Sequence, residues 1–266
     1  MSGSAFTMRL ADATVRVEAL HGGIRRMCTG YLVADDVAPD LTVRISQADI
    51  DRERSLSTPG EQWSDTYLET LAVYRKIAEW APLHRRMLMH GAVVEHAGRA
   101  YMFCATSGTG KSTHIRLWRR YLGDAVDIVN GDKPLVLVPE APGTDGPGGS
   151  DAVAAPSAVA YGTPWCGKEG WQRNTSAPLA GICLLHRAPE PGANVIRRIE
   201  PAQALDFMMR QVYLPDAADA VAATLDLLDA LLTRTPLFEL FCDMSEDAVR
   251  TSFEGLTGER YTSMSA

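Results

Sequence analysis

The densest chemical signal in the chain is the stretch Ala105-Thr106-Ser107-Gly108-Thr109-Gly110-Lys111-Ser112-Thr113. A polyphosphate needs several backbone N–H groups aimed at one point. Small residues let the backbone come close, and the start of a helix adds its partial positive charge. In the spacing G-x-x-x-x-G-K-[ST] the lysine reaches the outer phosphates and the hydroxyl after it binds Mg²⁺. Lys111 is that lysine and Ser112 that hydroxyl. Thr106, Ser107, Gly108, Thr109, Gly110 and Thr113 complete the cradle. Ala105 stands where the first glycine usually sits, the smallest replacement but one with a narrower range of backbone angles. The competing reading is a Gly/Ser loop that only caps a helix, with Lys111 solvated. A strand before the loop and a helix after it are the context that separates the two.

Two more segments carry candidate chemistry. Asn130-Gly131-Asp132-Lys133 follows the loop at the distance that one helix and one strand would provide. A carboxylate at the end of such a strand can hold Mg²⁺ or accept a proton; the alternative is that Asn-Gly-Asp is a plain hairpin turn. Gly162 to Asn174 mixes glycines, aromatics and cations. It reads either as a surface loop or as a clamp, with Lys168 and Arg173 neutralising phosphate and Trp165 or Trp171 stacking. Cys166 has no His/Asn partner pattern and is not read as a nucleophile.

These residues need elements to hold them. Arg99–Cys104 is a short apolar strand into the loop, and 112–121 has helical spacing with Ile115, Leu117 and Trp118 available to pack. Residues 87–95 form a strand candidate that turns through His96-Ala97-Gly98 into the loop strand. That hairpin predicts a mixed sheet, because purely parallel sheets need long crossovers. Asp127–Val129 and Pro134–Val138 read as strands, as do 152–161, Leu179–Leu185, Asn194–Ile199 and Leu237–Cys242. Trp63–Met87, bent or broken at Pro82, Ala202–Val212 and Ala217–Leu232 read as helices, and Ser245 caps a last one. Glu140–Ser150 is Gly/Pro-rich and predicts a surface loop or lid. Residues 1 to about 60 read as β-rich, with strands in 14–20, 30–34 and 41–45 and a polar loop over Ser46–Gly60. The expected organisation is a β-rich part over 1–62 and a phosphate-loop domain over 63–266.

Composition sets the bounds. The 266 residues are 46% hydrophobic and 22% charged, enough for a sizeable core. A net charge of −7 argues against nucleic acid as a partner, since no basic excess supplies the electrostatic term. Arg116/Arg119/Arg120 and Arg197/Arg198 then read as solvated faces. Five scattered cysteines without metal spacing suggest a reducing compartment. No secretory signal or bilayer-spanning run is visible, so the expectation is a soluble cytoplasmic protein without a membrane partner.

The pattern HGA…SGTGKSTH..LW…NGDK…PW.GK…N resembles the kinase core of the HPr kinase/phosphorylase family, which shares its nucleotide-binding architecture with phosphoenolpyruvate carboxykinases. It is similar, more closely, to HPr-kinase-like proteins of the serine-kinase type. His90-Gly91, Ser107–Ser112 and Asn130-Gly131-Asp132 carry the resemblance, over roughly a third of the chain. It implies an α/β fold with a mixed-sheet core and an ATP- and Mg²⁺-dependent kinase. The implied acceptor is a hydroxyl, often serine, on a peptide, a protein or a small molecule. It also implies His90 as a site residue beside Lys111 and Asp132, with Ser112 and Asp132 at the metal, and it leaves a homo-oligomer open. The family's paired acids are Gly131-Asp132 here, so one carboxylate does the duty or another residue helps. Two other classes are an NTPase that hydrolyses nucleotide without an acceptor, and a nucleotide-binding regulator without turnover. The guanine-reading N-K-x-D is absent, which favours ATP.

Overall fold

A computed structural model describes residues 4–141 and 157–263. In the N-terminal region β1 (Ser4–Leu10) and β2 (Ala13–Ala19) form a hairpin, flanked by β3 (Leu32–Val33) and β4 (Leu41–Arg44) in the order β3-β1-β2-β4. Phe6, Met8, Val15 and Val17 point inward from the hairpin by the two-residue alternation of a half-buried sheet. Three helices follow or interrupt these strands: α1 (Gly23–Met27), α2 (Gln47–Leu56) and α3 (Asp65–Trp80).

The expected polar loop over Ser46–Gly60 is instead built around α2. Ser46 Oγ accepts from the Asp49 N–H, and the Asp49 carboxylate returns to the Ser46 N–H, a capping box. The helix buries only Ile50 and Glu53, so it has no apolar stripe to betray it. The helix expected over 63–87 stops at Trp80. Pro82 sits in a 3₁₀ turn, Arg85 adopts a φ of 63°, and the chain re-enters a sheet as β5 (Arg86–Leu88). Leu68, Ala72, Val73 and Ile77 of α3 share one core with the N-terminal sheet and with Leu88, Leu135, Tyr161 and Trp165.

The second sheet has nine strands: β5, β6 (Ala92–His96), β7 (Arg99–Cys104), β8 (Val126–Asn130), β9 (Leu135–Leu137), β10 (Val159–Tyr161), β11 (Ser176–Arg187), β12 (Val195–Ile199) and β13 (Leu237–Cys242). Its order is β5-β9-β10-β11-β7-β6-β8, with β13 added on β11 and β12 on β13. β7, β11 and β13 run parallel, and the other pairs are antiparallel. The fold is α/β with a mixed sheet, and the β6–β7 hairpin feeds the loop strand as the sequence predicts. Alternate side chains of β7 serve the two faces. Tyr101 and Phe103 pack under α4 (Lys111–Leu122) and α7 (Glu246–Thr257). Ala100, Met102 and Cys104 join the core made with α5 (Pro201–Met209) and α6 (Ala218–Arg234).

The Glu140–Ser150 loop and the first part of the 152–161 strand fall largely outside the described residues. All five cysteines are free thiols. Among the described residues no helix is long and apolar enough to cross a membrane.

Candidate functional site

β7 delivers the chain to Ala105, which is fully buried and keeps a negative φ, so alanine serves there without strain. The loop turns by the Thr109 N–H donating to Thr106 O (3.2 Å), with the two threonine hydroxyls 2.7 Å apart. Gly108 and Gly110 have φ of 79° and 122°, and a Cβ on either would face open space. Glycine is required there by conformation, not by crowding. The first helical bond is His114 N–H to Gly110 O. No side chain caps α4 and no acid lies in its first turn. Its leading N–H groups therefore remain free to meet an anion.

Asp132 is placed from the far side of the sheet. β8 pairs with β6 and, at Asn130, bridges Gln172, whereas β9 pairs with β5 and β10. The Asn130–Pro134 connection is therefore no hairpin turn, and it links the edge strand β8 to β9, one strand in from the other end of the sheet order. Val93 and Val94 of β6 pair with Asn130 and Ile128, which leaves Val129 as a bulge that bends β8 just before it ends. Buried Asn130 organises the turn: its side-chain oxygen accepts from the N–H groups of Asp132 (2.9 Å) and Lys133 (2.7 Å), and its amide donates to Thr163 O (3.0 Å). The turn is latched to the Met89–Gly91 segment, with Met89 N–H donating to Pro134 O (3.1 Å) and Gly91 N–H to Asp132 O (2.9 Å). His90 and Asp132 thus lie on two connections that run side by side.

The side chains meet over the loop. Lys111 Nζ is 3.0 Å from His90 Nε2 and donates to Ala105 O at 3.0 Å, while His90 Nε2 is 3.2 Å from Asp132 Oδ1. One ring nitrogen cannot accept from an ammonium and donate to a carboxylate at once. With Lys111 drawn off the ring by an anion, the tautomer protonated on Nε2 donates to Asp132. Burial pulls the Lys111 ammonium below its ordinary range, and the Asp132 carboxylate opposes that. Burial would raise the Asp132 carboxyl; the hydrogen bond from His90 and the charges of Lys133 and Lys111 outweigh it and hold the group below the usual range.

A cleft of about 480 Å³ gathers His90, Ser107, Gly108, Gly110, Lys111, Ser112, Thr113, Asp132 and Lys168. A second cavity of about 500 Å³ shares Gly108, Gly110 and Thr113 with it and also takes Thr109. Leu117, Leu185, Pro189, Pro191 and Met244 give it apolar walls, and Arg187 there donates to Gly108 O (2.8 Å). Arg173 is elsewhere: its guanidinium is paired with Asp127, outside the residues that line either cavity. Trp165 is buried against Tyr74, with ring centroids 4.9 Å apart, so it is core and not a stacking platform.

Sequence reasoning did not single out Glu169 or Lys133. Glu169 lines the cleft beside Lys168 and is its second carboxylate after Asp132. Gly131 cannot supply one on this backbone, because a Cβ there would lie 2.8 Å from Cys166 O. Lys133 places its ammonium 3.9 Å from Asp132 Oδ2, and burial pulls it below its usual range. Its direct succession to Asp132 was the available signal.

Among the described residues no three His, Cys, Asp or Glu side chains converge as a metal cage. Mg²⁺ keeps several waters and is held through one or two carboxylates plus substrate phosphates. The Ser112 hydroxyl and the Asp132 carboxylate, both on the cleft wall, fit that donor set. Comparison with known proteins finds no family model that matches the chain, and no curated protein matches it.

Proposed function

We propose that this chain is a phosphate-loop kinase of the HPr kinase/phosphorylase-like type, acting in the cytoplasm on ATP and Mg²⁺. The observation that carries the reading is the chain of contacts from Lys111 Nζ through His90 Nε2 to Asp132 Oδ1, at 3.0 and 3.2 Å, in a cleft floored by the phosphate loop. It joins residues that stand far apart in sequence and that phosphoryl transfer uses together: a cation for the β/γ-phosphates and a carboxylate for the nucleophile. The apolar cavity that shares Gly108 and Gly110 has the character of a nucleoside pocket next to a phosphate site.

In this reading the acceptor hydroxyl oxygen bonds to the γ-phosphorus while the bond from that phosphorus to the β–γ bridging oxygen breaks. ADP leaves, and the hydroxyl proton passes to Asp132. Lys111 and Lys168 balance the charge on the transferring group, and His90 orients the Asp132 carboxylate. Mg²⁺, when bound at Ser112 and Asp132, supplies charge neutralisation across the phosphates. Such catalysis is mainly positioning and electrostatic stabilisation.

The test is incubation with γ-labelled ATP and candidate hydroxyl acceptors, following the label. Label on an acceptor alcohol is the expected result. Release as inorganic phosphate in the presence of every acceptor would make the protein an NTPase, and binding without any turnover would make it a nucleotide-dependent regulator.

A further inference from the structure

On the other side of His90 from the phosphate cleft lies a smaller cavity of about 250 Å³, and His90 is the one residue that lines both. Its walls include Lys133, Arg210, Tyr74 and Tyr213 and contain no carboxylate, in a chain of net charge −7. Its polar groups have few partners. Among the described residues the nearest anion to Lys133 Nζ is Asp132, at 3.9 Å, beyond hydrogen-bonding distance. The Tyr74 ring is packed on Trp165, and the Arg210 guanidinium is held at the rim by Asp206 (2.6 Å).

Resting on the kinase reading above, we propose that this cavity is the acceptor site and that it selects an alcohol carried close to a carboxylate. With Arg210 already paired to Asp206, the Lys133 ammonium and the two phenols are the donors that no hydrogen bond among the described residues engages, the complement of an anionic oxygen pair. Lys133 ties that anion to the chemistry. A carboxylate oxygen bound to Nζ at about 2.8 Å stands beside Asp132, whose own oxygen is 3.9 Å from the same ammonium. A hydroxyl one or two carbons from the carboxylate then reaches Asp132 and faces the phosphate loop past His90. The volume is below the ~300 Å³ at which pockets for larger ligands begin, so it takes a small hydroxy acid or one residue of a chain.

The test is calorimetric titration of the full-length protein with the non-hydrolysable analogue AMP-PNP and Mg²⁺, and then with paired probes. The pairs are glycerate and its methyl ester, serine and its methyl ester, and serine peptides with glutamate or glutamine beside the serine. The expected result is that at least one acid binds at least tenfold more tightly than its neutral partner. Lys133→Met should remove that preference and Lys133→Arg should restore part of it, while Tyr213→Phe weakens the acid about threefold. If the small acids bind, the acceptor is a free hydroxy acid; if the glutamate peptide alone does, the carboxylate is borne on a chain. Equal affinity within every pair, no binding by any acid, or a preference unchanged in Lys133→Met would overturn the proposal. Failure of AMP-PNP to bind the unmodified protein would instead overturn the kinase reading, and the two failures are read from separate titrations.

Discussion

At the scale of residues, the arrangement turns on one imidazole nitrogen placed between an ammonium and a carboxylate. Lys111 Nζ touches only Ala105 O and His90 Nε2, both groups that water or a neighbour can satisfy, so its loss should leave the fold intact. Lys111→Ala is expected to lower phosphoryl transfer by about 10³-fold, the scale for removing a preorganised charge stabiliser, with an unchanged circular dichroism spectrum. Transfer at the normal rate in that variant would remove Lys111 from the site. Asp132→Asn keeps size and hydrogen bonding but removes the proton acceptor. Turnover is expected to fall by about 10²–10⁴-fold, with nucleotide affinity changed much less; parallel loss of both in a binding-and-rate comparison would leave Asp132 as a metal holder only.

At the scale of elements, the loop is only as well placed as α4, and α4 is pinned to α7 by a buried polar knot. Trp118 Nε1 donates to Ser252 Oγ (2.8 Å), Ser252 Oγ donates to Val249 O (3.0 Å), and His114 Nε2 lies 3.0 Å from the same oxygen. With the serine proton committed to Val249, the neutral imidazole carries its proton on Nε2 and all three groups are satisfied. Ser252→Ala strands two buried donors. Stability should fall by about 1–3 kcal/mol per unsatisfied group, read as a shift in urea midpoint. A midpoint within error of the unmodified protein would show that the knot does not hold α4.

At the scale of the whole molecule, the same buried imidazole sets an acid limit. Burial lowers the His114 pKa from 6.5 to about 4. Between those values the unfolded chain binds a proton that the native state does not. Stability from this group is therefore complete above pH 6.5 and lost as pH falls to about 4, by roughly 3 kcal/mol at most. Denaturant midpoints measured across that window should decline toward acid, and His114→Gln should flatten the decline. A profile equally steep in the variant would assign the acid sensitivity to other groups. The whole-molecule scale also explains why the site forms where it does. The short Met89–Gly91 and Gly131–Pro134 connections join strands near the two ends of the sheet order, and they run side by side through the bonds from Met89 N–H to Pro134 O and from Gly91 N–H to Asp132 O.

Local sequence was enough for the strand, glycine turn and helix around Lys111, the hairpin ahead of them, the mixed sheet, α6, β13 and the Ser245 cap, because each is specified by neighbours within a few residues. Periodicity could not reveal α2, whose polar surface carries almost no apolar stripe, nor place the end of α3 closer than its proline. Contacts across the sheet were out of reach altogether. Whether Asn130-Gly131-Asp132 was a hairpin turn, whether Arg173 joined the cleft, and where a second carboxylate could come from depended on strand order. Pairing of strands far apart in the chain is decided by how whole hydrophobic faces are covered, and no local pattern encodes it. Spacing along the chain named the lysine and the aspartate; only the folded sheet put one histidine between them.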